Sequence, residues 1–149
     1  MVEMPGMQNG PVKIRRGKRT DFPALVALLT PGATLAVDKG HVRHWRRLAS
    51  DPSHDFYVAE HEGAIRGVVL VCYIRELRQP GWLAILDIVA STECHIGRAL
   101  LDFAKERARK RGCQRLLIYV FNREGDAPCT SLIPSDFRRV GEVLSCGLS

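Results

Sequence analysis

The sequence predicts an α/β domain built around a twisted mixed sheet, and two stretches support that prediction. In the first, the apolar run Leu83–Ala90 is followed, from Gly97 onward, by apolar residues at helical spacing. In the second, residues 56–90, the turn-forming triplets 61–63 and 79–81 separate three runs of strand-forming residues. The sequence therefore predicts an antiparallel meander of three strands that leads into a strand–turn–helix unit.

The remaining elements follow from the spacing of apolar residues and from the turn residues between them. Thr20 or Asp21 is expected to cap a first helix, and Asp38 a second. The long third helix ends before Gly112, and the strand after it must run parallel to the strand before it if the two are neighbours. About six strands are expected, in agreement with ordinary sheet sizes. They are Val12–Arg16, Phe56–Glu60, Ile65–Leu77, Trp82–Ala90, Leu116–Phe121 and Phe137–Leu144.

The length of 149 residues and the hydrophobic content of 46% fit one domain with a substantial core. Residues 1–11 contain two prolines and two glycines and are expected to form a flexible lead-in, so residues 12–149 are expected to form the single domain. No apolar run approaches the roughly 20 residues that span a bilayer. Because the first residues also lack the apolar region of a signal peptide, a cytoplasmic protein without a membrane partner is expected.

The net charge of +6 attracts polyanions, but its distribution does not indicate a nucleic-acid-binding module. The lysines and arginines are spread over several segments, and no aromatic residues alternate with them in a recognition pattern. Solvated helix faces explain most of these charges, so nucleic acid is not an expected partner. His41 and His44 lie one helical turn apart, but they have no neighbouring carboxylate or cysteine, so a solvated face is expected rather than a metal site.

The five cysteines are odd in number, and none forms a C-x-x-C pair. Neither a zinc site nor a disulfide framework is therefore expected. Cys72 and Cys113 fit small buried apolar positions. Cys94, in the turn before the third helix, is expected to be an inert thiol.

The turn from Ser91 to His95, closed by Ile96 and Gly97, is the candidate binding site. A strand that leads through a short polar turn into a helix aims backbone N–H groups and the positive end of the helix dipole at one point. That point suits an anion, most often a phosphate. Since most such turns bind nothing, the rest of the chain must decide between the two interpretations.

Several short segments occur in the order and spacing of one known family. They are Arg15–Leu29 (RRGKRTDFPALVALL), Phe56–Gly67 (FYVAEHEGAIRG), Leu86–Val89 (LDIV), Ile96–Leu101 (IGRALL), Asn122 after the predicted fifth strand, and Phe137–Gly141 (FRRVG). Over about Val12–Leu144, the chain thus resembles the GNAT superfamily of N-acetyltransferases. The resemblance implies a GNAT-like sheet with a V-shaped splay between its fourth and fifth strands.

The resemblance also implies that acetyl-CoA is the co-substrate and that a primary amine of a small molecule or a protein attacks it directly. In this family the pantetheine arm lies between the splayed strands, and loop amides before the long helix hold the pyrophosphate. The amine must be oriented and deprotonated, and the leaving thiolate must be protonated. A homodimer is compatible with this resemblance. The implied cofactor-binding residues are Ile88, Val89, Ala90, Cys94, His95, Ile96, Gly97, Arg98, Ala99 and Asn122.

Two hypotheses for the function remain, because the cofactor loop departs from the family pattern. Thr92 stands at a usual Gln or Arg, His95 stands at the usual first glycine, and the loop is shorter than usual. Leu132 replaces the familiar tyrosine, and Asp136 replaces a glycine. The chain is therefore either an active N-acetyltransferase or a GNAT-like domain that has lost transfer and serves as a CoA-binding or regulatory module.

Asp87 is the candidate general base. It is a carboxylate within an otherwise apolar strand, where burial would poise it for proton transfer. The alternative is a carboxylate at the strand edge that is solvated or paired in a structural network. The sequence alone does not separate these two roles.

Overall fold

The computed structural model describes residues 10–29, 39–118 and 135–148. The strands are β1 (Lys13–Arg16), β2 (His54–His61), β3 (Ala64–Arg75), β4 (Trp82–Ser91) and β5 (Cys113–Ile118), and the helices are α1 (Phe22–Leu29), α2 (Lys39–Ser50) and α3 (Cys94–Lys110). The described strands form one sheet in the order β1-β2-β3-β4-β5, in which β4–β5 is the parallel pair and the other pairs are antiparallel. This mixed α/β fold confirms the predicted class. None of the described helices is long and apolar enough to cross a membrane.

The predicted meander is confirmed, and its first turn is only two residues long. β2 and β3 pair up to His61↔Ala64, which leaves Glu62 and Gly63 as the turn. Both turn residues have positive φ, at 54° for Glu62 and 76° for Gly63. Two positive φ angles give the tight turn whose twist matches that of the flanking strands.

The predicted sixth strand, Phe137–Leu144, is wrong: no strand forms within the described residues 135–148. Val140 and Leu144 are 66% and 90% exposed. A strand needs a neighbouring backbone to pair with and a face to bury. Within the described residues this segment pairs with no strand, and Phe137 packs against the core while Val140 and Leu144 stay exposed. The described sheet therefore has five strands.

The sheet carries α3 on one face and α1 and α2 on the other. Alternate residues of a strand point to opposite faces, and β2 shows this at Tyr57 and Val58. Tyr57 packs in the cluster that includes Leu100 of α3, whereas Val58 packs with Phe22 and Leu25 of α1. Each fully buried Leu or Phe contributes about 1.5–3 kcal/mol through removal from water. The two cores hold both helical layers against one sheet.

An apolar stripe attaches α3 to the sheet. Its buried residues recur at helical spacing and are Ile96, Gly97, Leu100, Leu101, Ala104 and Ala108. Gly112 follows the helix with φ 81°, and its N–H donates to the Arg109 carbonyl oxygen at 3.0 Å. Glycine adopts this left-handed conformation without steric cost, so the chain can turn directly from α3 into β5.

Gly17 lies after β1 and faces the ring of Phe56 on β2. A Cβ at position 17 would lie 2.2 Å from Phe56 Cε1, and that ring packs against the core beneath α1. Gly17→Ala is therefore expected to lower the free energy of unfolding by about 1–3 kcal/mol, the usual cost of overpacking. Urea unfolding measures the change. In the control Gly141→Ala the added Cβ has nothing within 4 Å, and equal losses in the two variants would contradict the prediction.

Candidate active site

The connection between β4 and α3 consists of only Thr92 and Glu93. β4 continues to Ser91, and the next residue still donates its N–H to the Arg66 carbonyl oxygen at 2.9 Å. Pairing with β3 thus holds the chain almost until the helix begins. The prediction of a turn over Ser91 to His95 is therefore wrong at both ends, because Ser91 belongs to the strand and residues 94–95 belong to the helix.

The first turn of α3 presents backbone donors. The first bond of the helix runs from the Gly97 N–H to the Glu93 carbonyl oxygen at 3.2 Å. The N–H groups of His95 and Ile96, just before it, have no acceptor within the helix and lie at the positive end of its dipole. Ile96 and Gly97 are buried, whereas His95 is exposed. The helix end is thus anchored in the core at Ile96, which is fully buried, and is open to solvent at His95, which suits the binding of a phosphate oxygen.

Two histidines and two glutamates lie at this end of α3. His95 Nδ1 lies 3.2 Å from Glu93 Oε2, and the His95 ring centroid lies 6.1 Å from that of His61. His61 is buried, its Nε2 lies 3.8 Å from Glu62 Oε1, and its Nδ1 has no hydrogen-bond partner among the described residues. The sequence does not single out His61, because its closeness to His95 depends on β2 lying beneath α3. Within the described part of the chain, no three His, Cys, Asp or Glu residues are grouped to hold a metal ion.

Asp87 occupies a β-bulge in β4. Leu86 and Ile88 pair with consecutive residues of β3, so Asp87 between them is an extra residue in the strand. A bulge leaves one residue outside the ladder and re-aims its side chain, and bulges are frequent next to active sites. The contacts of side chains 87–90 lie outside the described residues, so the role of Asp87 as general base stays a prediction.

β4 and β5 pair in parallel from Trp82↔Cys113 to Leu86↔Ile118. This pairing confirms that the strands before and after α3 are parallel neighbours. The predicted splay would open beyond Ile118, and residues 119–134 lie outside the described residues. The V-shaped gap, and the part that Asn122 plays in cofactor binding, therefore stay predictions.

Cys94 is disulfide-bonded, so the expectation of an inert free thiol is wrong. Cys72, Cys113 and Cys146 are free. A disulfide needs two Cα atoms within about 7 Å of each other, a distance that the fold sets and that spacing along the chain does not reveal. The bond thus constrains the first turn of α3, the same turn that carries the open amides.

The predicted cofactor-binding residues that the structure describes gather at one end of the sheet, where β4 ends and α3 begins. Their exposure separates those that can meet a ligand from those that anchor the helix. Cys94, His95 and Arg98 are exposed, Ala99 is half-buried, and Ile96 and Gly97 are buried; residues 88–90 form the end of β4.

Comparison with known proteins shows the same architecture. The sequence profile of the Acetyltransferase (GNAT) family matches residues 22–127. Three solved structures share the fold. Because each is less than 25% identical to this chain, the likeness concerns the fold alone. A transcriptional regulator from Bacillus halodurans C-125 is 20% identical (TM-score 0.71, 90% of this chain and 100% of that chain). A glucosamine-6-phosphate N-acetyltransferase from Arabidopsis thaliana is 21% identical (0.62, 75% and 84%), and a ribosomal-protein-alanine N-acetyltransferase from Brucella melitensis biovar Abortus 2308 is 18% identical (0.66, 92% and 100%).

The fold and the site define an acetyltransferase-type α/β domain, in which a bulged strand passes through a two-residue turn into the long helix. The profile match covers well over half of the chain, and the chain belongs to the GNAT family of acetyltransferases. Among proteins of curated function, none matches the sequence.

Proposed function

We propose that the protein transfers the acetyl group of acetyl-CoA to a primary amine by direct attack. One observation carries the proposal: the bulged strand β4 leads through only two residues into α3, within the stretch that the family profile matches. This connection puts the open amides of the helix next to the strand that holds Asp87. The acceptor is the amine of a small molecule or of a protein.

The end of α3 fits the pyrophosphate of acetyl-CoA. The amide of the exposed residue His95 offers a donor without an acceptor in the helix, and the helix dipole favours negative charge at this point. When bound, acetyl-CoA supplies an activated acetyl thioester. The residues of the chain bind and orient the reactants, which is the larger part of such catalysis.

Asp87 is proposed to take the proton from the attacking amine. The amine must lose a proton as it bonds to the thioester carbonyl carbon, and a carboxylate can accept it. The C–S bond breaks in the same transfer, and the thiolate of CoA leaves and takes up a proton. A position on a bulge of β4 suits this role, because bulges are frequent next to active sites.

A second function, CoA binding or regulation without transfer, is favoured by the same turn. Glu93 places a carboxylate 3.2 Å from His95 Nδ1, and that carboxylate repels an incoming phosphate. The disulfide at Cys94 further restricts the turn. A domain of this kind would keep the fold but bind the cofactor weakly or only in one redox state.

Acetyl-CoA is expected to stabilise the native protein against heat, by about 2.7 kcal/mol at a hundredfold excess over its dissociation constant. Gly97→Asp should abolish this stabilisation, because it sets a negative charge in the turn that binds phosphate. Gly141→Asp is the matched control, since it adds the same charge where a Cβ has nothing within 4 Å. His95→Gly should bind as well or better, because the loop then approaches the family pattern.

Gly97 is buried, so Gly97→Asp can lose binding through misfolding as well as through its charge. A second variant separates these two causes. His95→Asp places the negative charge at an exposed position of the first helical turn, where a carboxylate stabilises the helix. It should therefore keep its thermal stability and lose acetyl-CoA binding. If the native protein shows no thermal shift with millimolar acetyl-CoA while His95→Gly gains one, the transferase proposal gives way to the second function.

A further inference from the structure

A cluster of charged residues lies at the other end of α3, away from the proposed cofactor site. It consists of Asp55 at the start of β2, Arg16 at the end of β1, and Arg107 and Arg111 in and after the last turns of α3. With a rise of 1.5 Å per residue, Arg107 lies about 18 Å along the helix from His95. We propose that Arg16 and Arg107 form a binding site for a phosphate group, separate from the acetyl-CoA site.

Two partners already satisfy the Asp55 carboxylate, which is fully buried. Tyr73 Oη donates to Asp55 Oδ2 at 2.6 Å, and Arg111 Nη2 donates to Asp55 Oδ1 at 3.0 Å. Arg111 also donates to the Pro52 carbonyl oxygen at 3.2 Å, and its guanidinium lies 4.4 Å from the Tyr73 ring centroid. Burial, and to a smaller extent the hydrogen bond to Asp55, raises the pKa of the Tyr73 hydroxyl, which therefore stays a donor. Asp55, Tyr73 and Arg111 form a closed structural unit.

Arg16 and Arg107 are not needed for that unit. Arg16 Nη2 lies 3.6 Å and Arg107 Nε lies 3.8 Å from the Asp55 oxygens, too far for hydrogen bonds. Arg107 Nε is buried and has no hydrogen-bond partner in the described part of the chain. Both guanidinium groups lie over the ring of Tyr57, at 5.6 Å and 5.9 Å from its centroid. The two cations are therefore held close together with unused donors.

The charges around the cluster favour an anion with more than one negative charge. Three guanidinium groups face one carboxylate, which leaves an excess of two positive charges. The C-terminal end of the helix dipole offsets only about half an elementary charge. No second carboxylate is paired with Arg16 or Arg107 among the described residues. Within this part of the chain, the excess charge is left for a ligand.

A phosphate dianion fits this surface in both charge and shape. Planar guanidinium groups donate in pairs to phosphate oxygens, and these charge-assisted hydrogen bonds are strong. The side chains of Arg16 and Arg107 are 60% and 31% exposed, so a ligand can reach the solvent-facing part of each guanidinium, although Arg107 Nε itself is buried. The phosphate can be the free ion or the phosphate of a small monoester, and the same donors would hold either.

The test is a calorimetric titration with inorganic phosphate at constant ionic strength, which removes general screening from the comparison. The double variant Arg16→Gln/Arg107→Gln is expected to bind phosphate at least about tenfold more weakly than the native protein, the scale of losing two charge-assisted contacts. The control Arg19→Gln/Arg109→Gln removes the same total charge from exposed positions outside the cluster, and it should keep native affinity.

Two further titrations locate the site and identify the source of the phosphate. Because the first turn of α3 is itself proposed to hold phosphate groups, the titration is repeated in the His95→Asp background, where the phosphate binding that remains should be lost on adding Arg16→Gln/Arg107→Gln. Glycerol 3-phosphate should displace inorganic phosphate if the site accepts monoesters, and it should fail to do so if only the free ion fits. If the double variant does not fold, the single variant Arg16→Gln replaces it, because Arg16 is the more exposed of the two residues. Its phosphate affinity should then be lower than that of the native protein. The proposal is overturned if native binding does not saturate, or if the control loses as much affinity as the cluster variant.

Discussion

Asp55→Ala is expected to lower the free energy of unfolding by about 3–5 kcal/mol, the usual cost of removing one partner from a buried ion pair. Asp55 is fully buried, and its loss would leave Tyr73 Oη without an acceptor and Arg111 without its carboxylate. Arg16 and Arg107 would then repel Arg111 with no intervening negative charge. Urea unfolding, followed by circular dichroism, measures the change.

Two further variants make this prediction specific. Tyr73→Phe removes one hydrogen bond and keeps the ion pair, so its expected cost is smaller, about 1–3 kcal/mol for the buried acceptor left unpaired. Asp102→Ala removes a carboxylate of the same type from an exposed position of α3, and it should change stability by less than about 0.5 kcal/mol. A loss below about 1 kcal/mol in Asp55→Ala would show that the cluster does not stabilise the fold.

Asp87→Asn is expected to reduce kcat for acetyl transfer by about 100-fold or more, the usual scale for losing a general base. The amide has nearly the same size as the carboxylate but cannot accept the proton from the attacking amine. Affinity for acetyl-CoA should stay nearly unchanged, because the proposed phosphate contacts come from the helix end and not from this residue. Steady-state kinetics and calorimetric titration with acetyl-CoA measure the two quantities separately.

The control for Asp87→Asn is Glu93→Gln, which neutralises the carboxylate at the start of α3. Glu93 is exposed and paired with His95, so its removal should keep kcat and strengthen acetyl-CoA binding. The native pH profile of kcat should fall at acidic pH as the base becomes protonated, and Asp87→Asn should lose that dependence. Equal rates in the native protein and Asp87→Asn would remove Asp87 from the mechanism.

Local patterns in the sequence were sufficient for the order of the elements. The meander and the strand–helix–strand unit follow from alternation, helical spacing and turn residues, which act between near neighbours. Gly63 and Gly112 illustrate this, because each adopts positive φ where the chain turns. The parallel pairing of β4 with β5 also followed, since one helix joins them. The pattern of Phe137–Leu144 failed, because a strand forms only where another strand accepts it.

The geometry of the candidate site depended on contacts between distant residues. α3 begins at Cys94 because β3 holds the chain as far as Thr92, through a bond to Arg66 that sequence spacing cannot show. The bulge at Asp87 exists only in the register between two strands. The sequence indicated which residues lie near the turn, whereas the pairing of β3 with β4 decided how short the turn is.

The sequence by itself determined the family, the alternation of helix and strand, and the stretch where a phosphate could bind. Only the tertiary structure brought Arg16, Arg107 and Arg111 to Asp55, from positions up to 56 residues apart. Along the chain these arginines fit solvated faces, and Asp55 is one more polar residue before a strand. A buried charge is tolerated only where opposite charges and donors meet it, and their meeting depends on how β1, β2 and α3 pack together.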